Sequence, residues 1–270
     1  MKEIHIMNEK LGNCTIKSWT PESASIIHQN LEVHNWAPWL SASESSLIGR
    51  SKVFPEGQLQ IELPEGQIVA TVSTNRIYWD GHVDSLPNWD TVAGDPTTYE
   101  KTYQPEGNAL VLMSMNVHSS YQKFGLATAL VHQVQKLGKE LGIENIIGSF
   151  RPNEFGLFKI KHGPTDFDAY IHMVQKDGSP IDAWIRSLTR NGMKPLKTDV
   201  QAMTVFGITP EEFEELQTNY HADMWKQFGE KWECGEVGQW TVDPETGLAT
   251  YQESNLWGII PNLPDSVTLE

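Results

Sequence analysis

The feature that most constrains the fold is an apolar run followed at once by an amphipathic helical pattern. Residues 109–117 are nearly all apolar, and the run has the length of a buried strand. Large aliphatic residues then recur every three or four positions: Leu126, Leu130, Val134, Leu137 and Leu141. The pattern predicts a central strand that leads through a short turn into a helix.

The turn between this strand and helix carries the candidate cofactor-binding residues. These are Gln122, Lys123, Phe124, Gly125, Leu126 and Ala127. The first N–H groups of a helix have no partner within the helix and lie at its positive end, so the turn is suited to a phosphate. An ordinary strand, turn and helix is the alternative. The G-x-G-x-x-G fingerprint of dinucleotide-binding folds is absent from this stretch.

At these residues the sequence resembles the GCN5-related N-acetyltransferase (GNAT) superfamily. Its pyrophosphate loop has the form Q/R-x-x-G-x-G/A directly after a central strand, and residues 122–127 read QKFGLA. Two positions depart from the commonest form, since Lys123 stands where glycine is common and Ala127 replaces the last glycine. The resemblance covers about residues 14–207. It implies an α/β GNAT fold, in which a mixed central sheet is flanked by helices.

The resemblance also implies an acyl-CoA-dependent N-acyltransferase with acetyl-CoA or another acyl-CoA as co-substrate. Loop 122–127 is expected to hold the CoA pyrophosphate, and N–H groups near Asn116 and Val117 to hold the thioester oxygen. Asn153, soon after the next strand, is expected to contact the pantetheine arm. An equally good interpretation is that Asn153 is a turn asparagine whose side chain hydrogen-bonds to its own backbone.

Two residues are candidate catalytic bases. His118 follows the predicted strand, and histidine titrates near neutral pH; a strand-end histidine without a chemical role is the alternative. Asp90, with Asp80 and Glu100 as further candidates, lies in an insertion at 79–107 rich in Asp, Gly, Pro, Asn and Thr. We expect this insertion to be an ordered loop that covers the site.

The closing part of the chain leaves three functions open. Many family members protonate the departing thiolate with a tyrosine at the position of Leu188, which has no such proton. Residues 182–186, 235–240 and 251–258 are similar to GNAT-like domains of polyketide-synthase loading modules, some of which decarboxylate malonyl-CoA. The first prediction is transfer of an acetyl or other short acyl group to the amine of a small acceptor. The alternatives are transfer to the thiol of an acyl carrier protein, and catalytically silent binding of acyl-CoA.

The remaining patterns complete the expected organisation. Strand patterns lie at 14–18, 58–63, 67–78, 144–150 and 193–206, and helical patterns at 20–35, 182–191 and 209–228. Residues 156–181 read as solvated loop, because their His and Asp residues lack the spacing of metal ligands. We therefore expect a GNAT domain at 1–207 and a C-terminal helix with a Trp-rich extension at 208–270, packed on that domain.

Composition narrows the classes of partner. A net charge of −15 and a pI of about 5.0 argue against binding to nucleic acid or an anionic membrane. The negative charge is consistent with a small cationic substrate, or with nothing more than the solubility of the protein. Cys14 and Cys234 are the only cysteines, which argues against a disulfide framework and a cysteine metal site. Without a long apolar run or a signal-peptide pattern, a cytoplasmic location is expected.

Overall fold

The computed structural model describes residues 3–94 and 99–262. The chain divides into two compact units. Unit 1 comprises Met1–Pro87, Thr91–Gly148 and Ile259–Glu270, and unit 2 comprises Asn88–Asp90 and Ser149–Gly258. The expectation that residues 208–270 form an extension packed on a domain of residues 1–207 stays a prediction.

Unit 1 is built on strands in the order β1-β2-β3-β4-β5-β6, antiparallel except for the last pair. Their bounds are β1 (Ile4–Asn8), β2 (Gly12–Ser18), β3 (Gln58–Glu62), β4 (Ile68–Ile77), β5 (Ala109–Val117) and β6 (Asn145–Phe150). β3 and β4 are buried along almost their whole length. The predicted strands are confirmed within one or two residues; β1 was not predicted.

Ten α-helices occur in the described residues, and the longest directly follows β5. Their bounds are α1 (Ala24–Ile27), α2 (Val33–Asn35), α3 (Glu44–Val53), α4 (Trp89–Ala93), α5 (Tyr99–Thr102), α6 (Leu126–Glu140), α7 (Phe155–His162), α8 (Phe167–Ile171), α9 (Ala183–Arg190) and α10 (Pro210–Asn219). In unit 1, α1 and α3 pack on β4 through a core that includes Ile27, Leu47 and Ile68. None of these helices has the length and apolarity needed to cross a bilayer.

The predicted helix at 20–35 is interrupted by a π-helical turn. A 3₁₀ turn at Pro21–Ser23 leads into α1, and the π turn at His28–Glu32 separates α1 from α2. Thr20 precedes the first turn as expected, but its side chain makes no capping hydrogen bond. π turns inside helices occur often at functional sites, because they redirect side chains.

Unit 2 contains β7 (Lys194–Ile208), β8 (Lys226–Phe228), β9 (Lys231–Glu233), β10 (Gln239–Val242) and β11 (Ala249–Ile260), whose last two residues belong to unit 1. The strands lie in the order β11-β10-β9-β8, and β7 pairs with β11. Trp240 is fully buried and packs against Phe213 of α10 and Tyr251 of β11, with ring centroids 5.2 Å apart in both pairs.

Two expectations for unit 2 were wrong. Residues 156–181 contain α7 and α8 instead of a loop. Gly156 does not mark a turn there, because a Cβ atom on it would lie 1.8 Å from the carbonyl oxygen of Gly235. The helix expected at 209–228 has its predicted capping box at Thr209 but ends at Asn219, and His221 then adopts a positive φ of 45°.

The fold predicted from the resemblance is confirmed. A mixed, mostly antiparallel set of strands is flanked by helices, and additional strands follow toward the C-terminus.

Candidate functional site

Loop 122–127 connects the 3₁₀ turn Ser119–Tyr121 to α6. Two of its residues, Lys123 and Gly125, have left-handed φ angles of 65° and 79°. This conformation costs a residue with a side chain about 1–2 kcal/mol, which explains why glycine is favoured at the position of Lys123. Successive N–H groups in turns of this kind form concave sites for anions.

The beginning of α6 is open to a ligand. Its N-cap is Gly125, which offers no side chain to the N–H groups of the first turn. No atom lies within 4 Å of the place where a Cβ of Gly125 would stand, and Gln122, Lys123 and Gly125 are exposed. α6 is 15 residues long, so the partial positive charge of its dipole is well developed at Leu126. A phosphate fits this position by charge and by hydrogen bonding.

β1 fixes the loop from one side. The Asn8 side chain donates a hydrogen bond of 2.7 Å to the carbonyl oxygen of Phe124. The Lys10 ammonium lies 4.8 Å from the centre of the Phe124 ring. β1 therefore holds the loop through Asn8, and Lys10, in the turn after β1, adds a positive charge beside the loop.

The end of β5 supplies the second part of the site. Its parallel pairing with β6 runs from Ala109–Asn145 to Leu112–Gly148, and β5 continues beyond this pairing to Val117. On the β4 side, the register shifts between Ser73 and Thr74, so that Met113 is an extra residue in β5. Such β-bulges bend a strand, and they occur often beside active sites.

The hydrogen-bond pattern of β5 distinguishes the two residues expected to hold the thioester oxygen. The His118 N–H donates to the carbonyl of Val69 over 2.9 Å. Opposed residues of antiparallel strands alternate between bonded and non-bonded pairs. The N–H of Asn116 therefore points to β4, and the N–H of Val117 points away from it. The N–H of Val117 therefore points to the side of β5 on which β6 pairs with residues 109–112.

The Asn116 side chain belongs to a buried polar network that sequence reasoning missed. It donates to Glu32 Oε1 over 2.7 Å and accepts from Trp36 Nε1 over 2.8 Å. Glu32 is only 2% exposed, and its Oε2 accepts from the N–H of Ala42 over 3.3 Å. Burial raises the pKa of Glu32, and the positive charge of Arg50 opposes this rise.

The network joins the π turn to β5. A glutamate directly after buried Leu31 was the only sequence signal for it. The contact with Asn116 arises from the π turn, which no local pattern indicated.

His118 is held by a local contact. Its Nδ1 accepts a hydrogen bond of 3.2 Å from the N–H of Ser120, so that it caps the 3₁₀ turn. Its ring lies 5.4 Å from that of Tyr121. With Nδ1 occupied as an acceptor, the neutral ring carries its proton on Nε2, where it can donate but not accept.

Asp90 lies in unit 2, in a cluster of carboxylates. Its Oδ2 accepts from the N–H of Thr204 over 2.8 Å. Burial, together with the negative charges of Glu253 and Asp199, raises the pKa of Asp90 to about 6. Asp199 accepts hydrogen bonds from the Trp89 N–H (3.0 Å) and the Ser149 hydroxyl (2.7 Å). A raised carboxylate pKa is typical of general bases.

The other candidate residues are placed more simply. Asn153 is exposed between β6 and α7, and Leu188 is fully buried in α9. Asp80 is exposed, and its pKa is lowered by a hydrogen bond from the Ser85 hydroxyl and by a 2.9 Å hydrogen bond from the N–H of His82. The side chain of Glu100 lies outside the described residues. Within those residues, no group of three or more His, Cys, Asp or Glu side chains is arranged to hold a metal ion.

Unit 1 thus brings together loop 122–127, the end of β5 and His118, while unit 2 contains Asp90 and Asn153.

Comparisons with known proteins found a matching family model, a curated relative and similar solved structures. The acetyltransferase (GNAT) family model matches residues 16–155. A curated relative, the uncharacterized N-acetyltransferase YkwB of Bacillus subtilis (strain 168), is 26% identical over 155 residues, which are 57% of this chain and 65% of the relative. The match thus spans less than two thirds of the relative's length.

Two solved structures are similar over most of the chain. The loading GNATL domain of CurA from Lyngbya majuscula superposes with a TM-score of 0.62 at 15% identity, covering 92% of this chain and 97% of that domain. The GphF GNAT-like decarboxylase, solved in complex with isobutyryl-CoA, superposes with a TM-score of 0.61 at 18% identity, covering 92% and 99%. At these identities the likeness shows a common fold. Because the family model matches more than half of the chain, and includes β5, loop 122–127 and α6, the chain belongs to the acetyltransferase (GNAT) family.

Proposed function

We propose that the protein is an acyl-CoA-dependent acyltransferase that moves an acetyl or other short acyl group to the amine of a small acceptor. The observation that carries this proposal is the open first turn of α6, preceded by left-handed Lys123 and Gly125. Loop 122–127 then binds the pyrophosphate of CoA through backbone N–H groups. The curated N-acetyltransferase relative and the GNAT family match support the reaction class.

The reaction is a direct attack on the thioester. The amine nitrogen adds its lone pair to the carbonyl carbon, and the oxygen takes up the displaced electron pair. The N–H of Val117 stabilises this oxyanion, since it points away from β4. The carbon–sulfur bond then breaks, the amine loses one proton to a base, and the thiolate gains one proton. The products are an amide and free CoA.

Asp90 and His118 are each proposed as catalytic residues, on the chemistry of each side chain alone. A carboxylate with a pKa of about 6 is mostly ionised at pH 7, yet it is basic enough to accept a proton from the attacking amine. The neutral ring of His118 is proposed to hydrogen-bond the departing thiolate through its Nε2–H, and the thiolate takes its proton from solvent. Asn153, exposed after β6, is proposed to contact the pantetheine arm.

Loading of an acyl carrier protein is the second candidate function. The structures of CurA and GphF match 92% of this chain, including residues beyond those that the family model covers. In that reaction the phosphopantetheine thiol of a carrier protein replaces the amine, and the product is a new thioester.

Product analysis distinguishes the candidates. Purified protein is incubated with acetyl-CoA or malonyl-CoA and either a panel of small amines or a phosphopantetheinylated carrier protein. Free thiol is followed, and products are identified by mass spectrometry. An acetylated amine, stable to hydroxylamine, supports the first proposal. An acylated carrier protein that hydroxylamine cleaves supports the second, and thiol release in neither case refutes both.

A further inference from the structure

Asn116, the residue before Val117, is held by its side chain at three points. Its Oδ1 accepts a hydrogen bond of 2.8 Å from Trp36 Nε1, and its Nδ2 donates to Glu32 Oε1 over 2.7 Å. A longer bond of 3.4 Å joins the same Nδ2 to the hydroxyl of Thr71, which lies opposite Asn116 in β4. The oxygen and both N–H groups of the side-chain amide are therefore used, and the side chain is fixed in one orientation.

Glu32 anchors this arrangement from the π turn at His28–Glu32. Its Oε2 accepts from the N–H of Ala42, so each carboxylate oxygen accepts one hydrogen bond, and the side chain is only 2% exposed. Neither the Asn116 Nδ2 nor the Ala42 N–H can accept a carboxyl proton, so these contacts suit the ionised carboxylate. An apolar side chain would fill the same space without the cost of burying a charge, which indicates that Glu32 serves to fix its partners.

The contacts of Asn116 act on the peptide group that it shares with Val117. A peptide group is planar, so the N–H of Val117 turns together with the carbonyl of Asn116. The pairing of β5 with β6 extends over residues 109–112, and Val117 lies beyond it. The pairing with β4 and the side chain of Asn116 therefore hold the Val117 N–H in its direction.

We propose that Glu32 is a positioning residue that, through the Asn116 side chain, directs the Val117 N–H at the thioester oxygen of acyl-CoA. Glu32 itself does not touch the substrate, because both of its oxygens are buried and engaged. The inference rests on the proposed function, since it concerns the same N–H. Direction matters there because an oxyanion donor acts only at hydrogen-bond distance from the place where the charge develops.

An exchange of the two side chains tests the contact. In Glu32→Gln, the new N–H₂ group faces the donor of Asn116 or that of Ala42, and in Asn116→Asp two carboxylates face each other. The double variant Glu32→Gln/Asn116→Asp restores every hydrogen bond. Its amide donates to the new carboxylate and accepts from the N–H of Ala42, and the carboxylate accepts from Trp36 Nε1. Glu44→Gln, the same change at an exposed position of unit 1, is the control.

The first readout is the backbone amide NMR signal of Val117, which needs no acceptor. Acetyl-CoA and S-ethyl-CoA differ at the carbonyl group, so only acetyl-CoA offers an oxygen to this N–H. In wild type, Glu44→Gln and the double variant, acetyl-CoA should shift the signal further downfield than S-ethyl-CoA does. In Glu32→Gln and in Asn116→Asp this difference should fall below half, while the affinity for both ligands stays within about threefold, because loop 122–127 is unchanged.

The second readout is steady-state kinetics with acetyl-CoA and the most active amine of the panel, below the Tm of each variant. Glu32→Gln should lower kcat at least tenfold and change the KM for acetyl-CoA less than twofold. The double variant should recover kcat to within about threefold of wild type. If neither single variant folds, Trp36→Phe, which removes one donor to Asn116 at a half-buried position, should show a smaller loss of the same kind in both readouts.

Three results would overturn the proposal. The first is an equal shift of the Val117 signal by acetyl-CoA and S-ethyl-CoA in wild type. The second is the same shift difference in Glu44→Gln as in Glu32→Gln, or as in Trp36→Phe where that variant replaces it. The third is a double variant as impaired as the single variants. Absence of turnover with every acceptor would refute acyl transfer alone, because the Val117 signal is measured without an acceptor.

Discussion

Two glycines at opposite ends of α6 allow a matched test of the phosphate site. Gly125 and Gly142 have φ angles of 79° and 68°, and no atom lies within 4 Å of a Cβ at either position. Aspartate introduces the same charge and the same left-handed strain at both, about 1 kcal/mol. Only Gly125→Asp places that charge at the proposed pyrophosphate.

The expected loss of CoA affinity follows from the charge. At ~6 Å and an effective dielectric constant of ~40, each unit of phosphate charge repels the new carboxylate by about 1.4 kcal/mol. For the two charges of a pyrophosphate this is about 2.8 kcal/mol, or ~100-fold in Kd. At 0.15 M salt the Debye length is about 8 Å, and screening reduces the loss to roughly tenfold.

The thermal stabilities of the two variants are expected to rank in the opposite order to their affinities for CoA. A negative charge is favourable at the N-terminus of a helix and unfavourable at its C-terminus, by about 0.3–1 kcal/mol in each case. Gly125→Asp should therefore unfold at a higher temperature than Gly142→Asp, although it alone loses CoA.

Calorimetric titration with CoA at low and at physiological salt, together with thermal unfolding, measures both effects. The phosphate assignment fails if the two variants bind CoA equally. It also fails if the loss in Gly125→Asp does not depend on salt.

Three further changes have defined outcomes. Because the folded-state pKa of Asp90 is raised to about 6, its ionisation destabilises the fold as pH rises from about 4 through 6. Asp90→Asn should therefore raise the Tm at pH 8 but not at pH 4, whereas Asp223→Asn, at an exposed position, should change the Tm at neither pH. An equal change in the Tm of Asp90→Asn at both pH values would contradict the assignment. Gly156→Ala should lose about 2–3 kcal/mol of unfolding free energy in a denaturant titration, because its Cβ meets the backbone of Gly235, and a loss below 1 kcal/mol would refute that contact. Lys123→Gly removes left-handed strain, so its Tm should not fall below that of wild type; a clear fall would mean that the φ of 65° is not strained.

The sequence was informative where structure follows from local pattern. The apolar run of β5 and the leucine spacing of α6 predicted both elements, because burial of one face dictates the periodicity. The helix predicted at 182–191 likewise corresponds to α9, and Gly192, which follows it, has a left-handed φ of 87°. Backbone geometry of this kind restricts the residue type directly.

Features that depend on distant contacts were missed. The pairing of Glu32 with Asn116 joins residues 84 positions apart, and the π turn that contains Glu32 has no sequence signature. Gly156 was interpreted as a loop glycine, because its close approach to Gly235 exists only in the folded chain.

Backbone amide NMR of the labelled protein tests most directly whether loop 122–127 holds acyl-CoA. On addition of CoA in phosphate-free buffer, hydrogen bonds to phosphate should shift the amide signals of Gly125, Leu126 and Ala127 downfield, and adenosine alone should not do so. Saturable binding of CoA that leaves these three amides unshifted would contradict the assignment of this loop as the cofactor site.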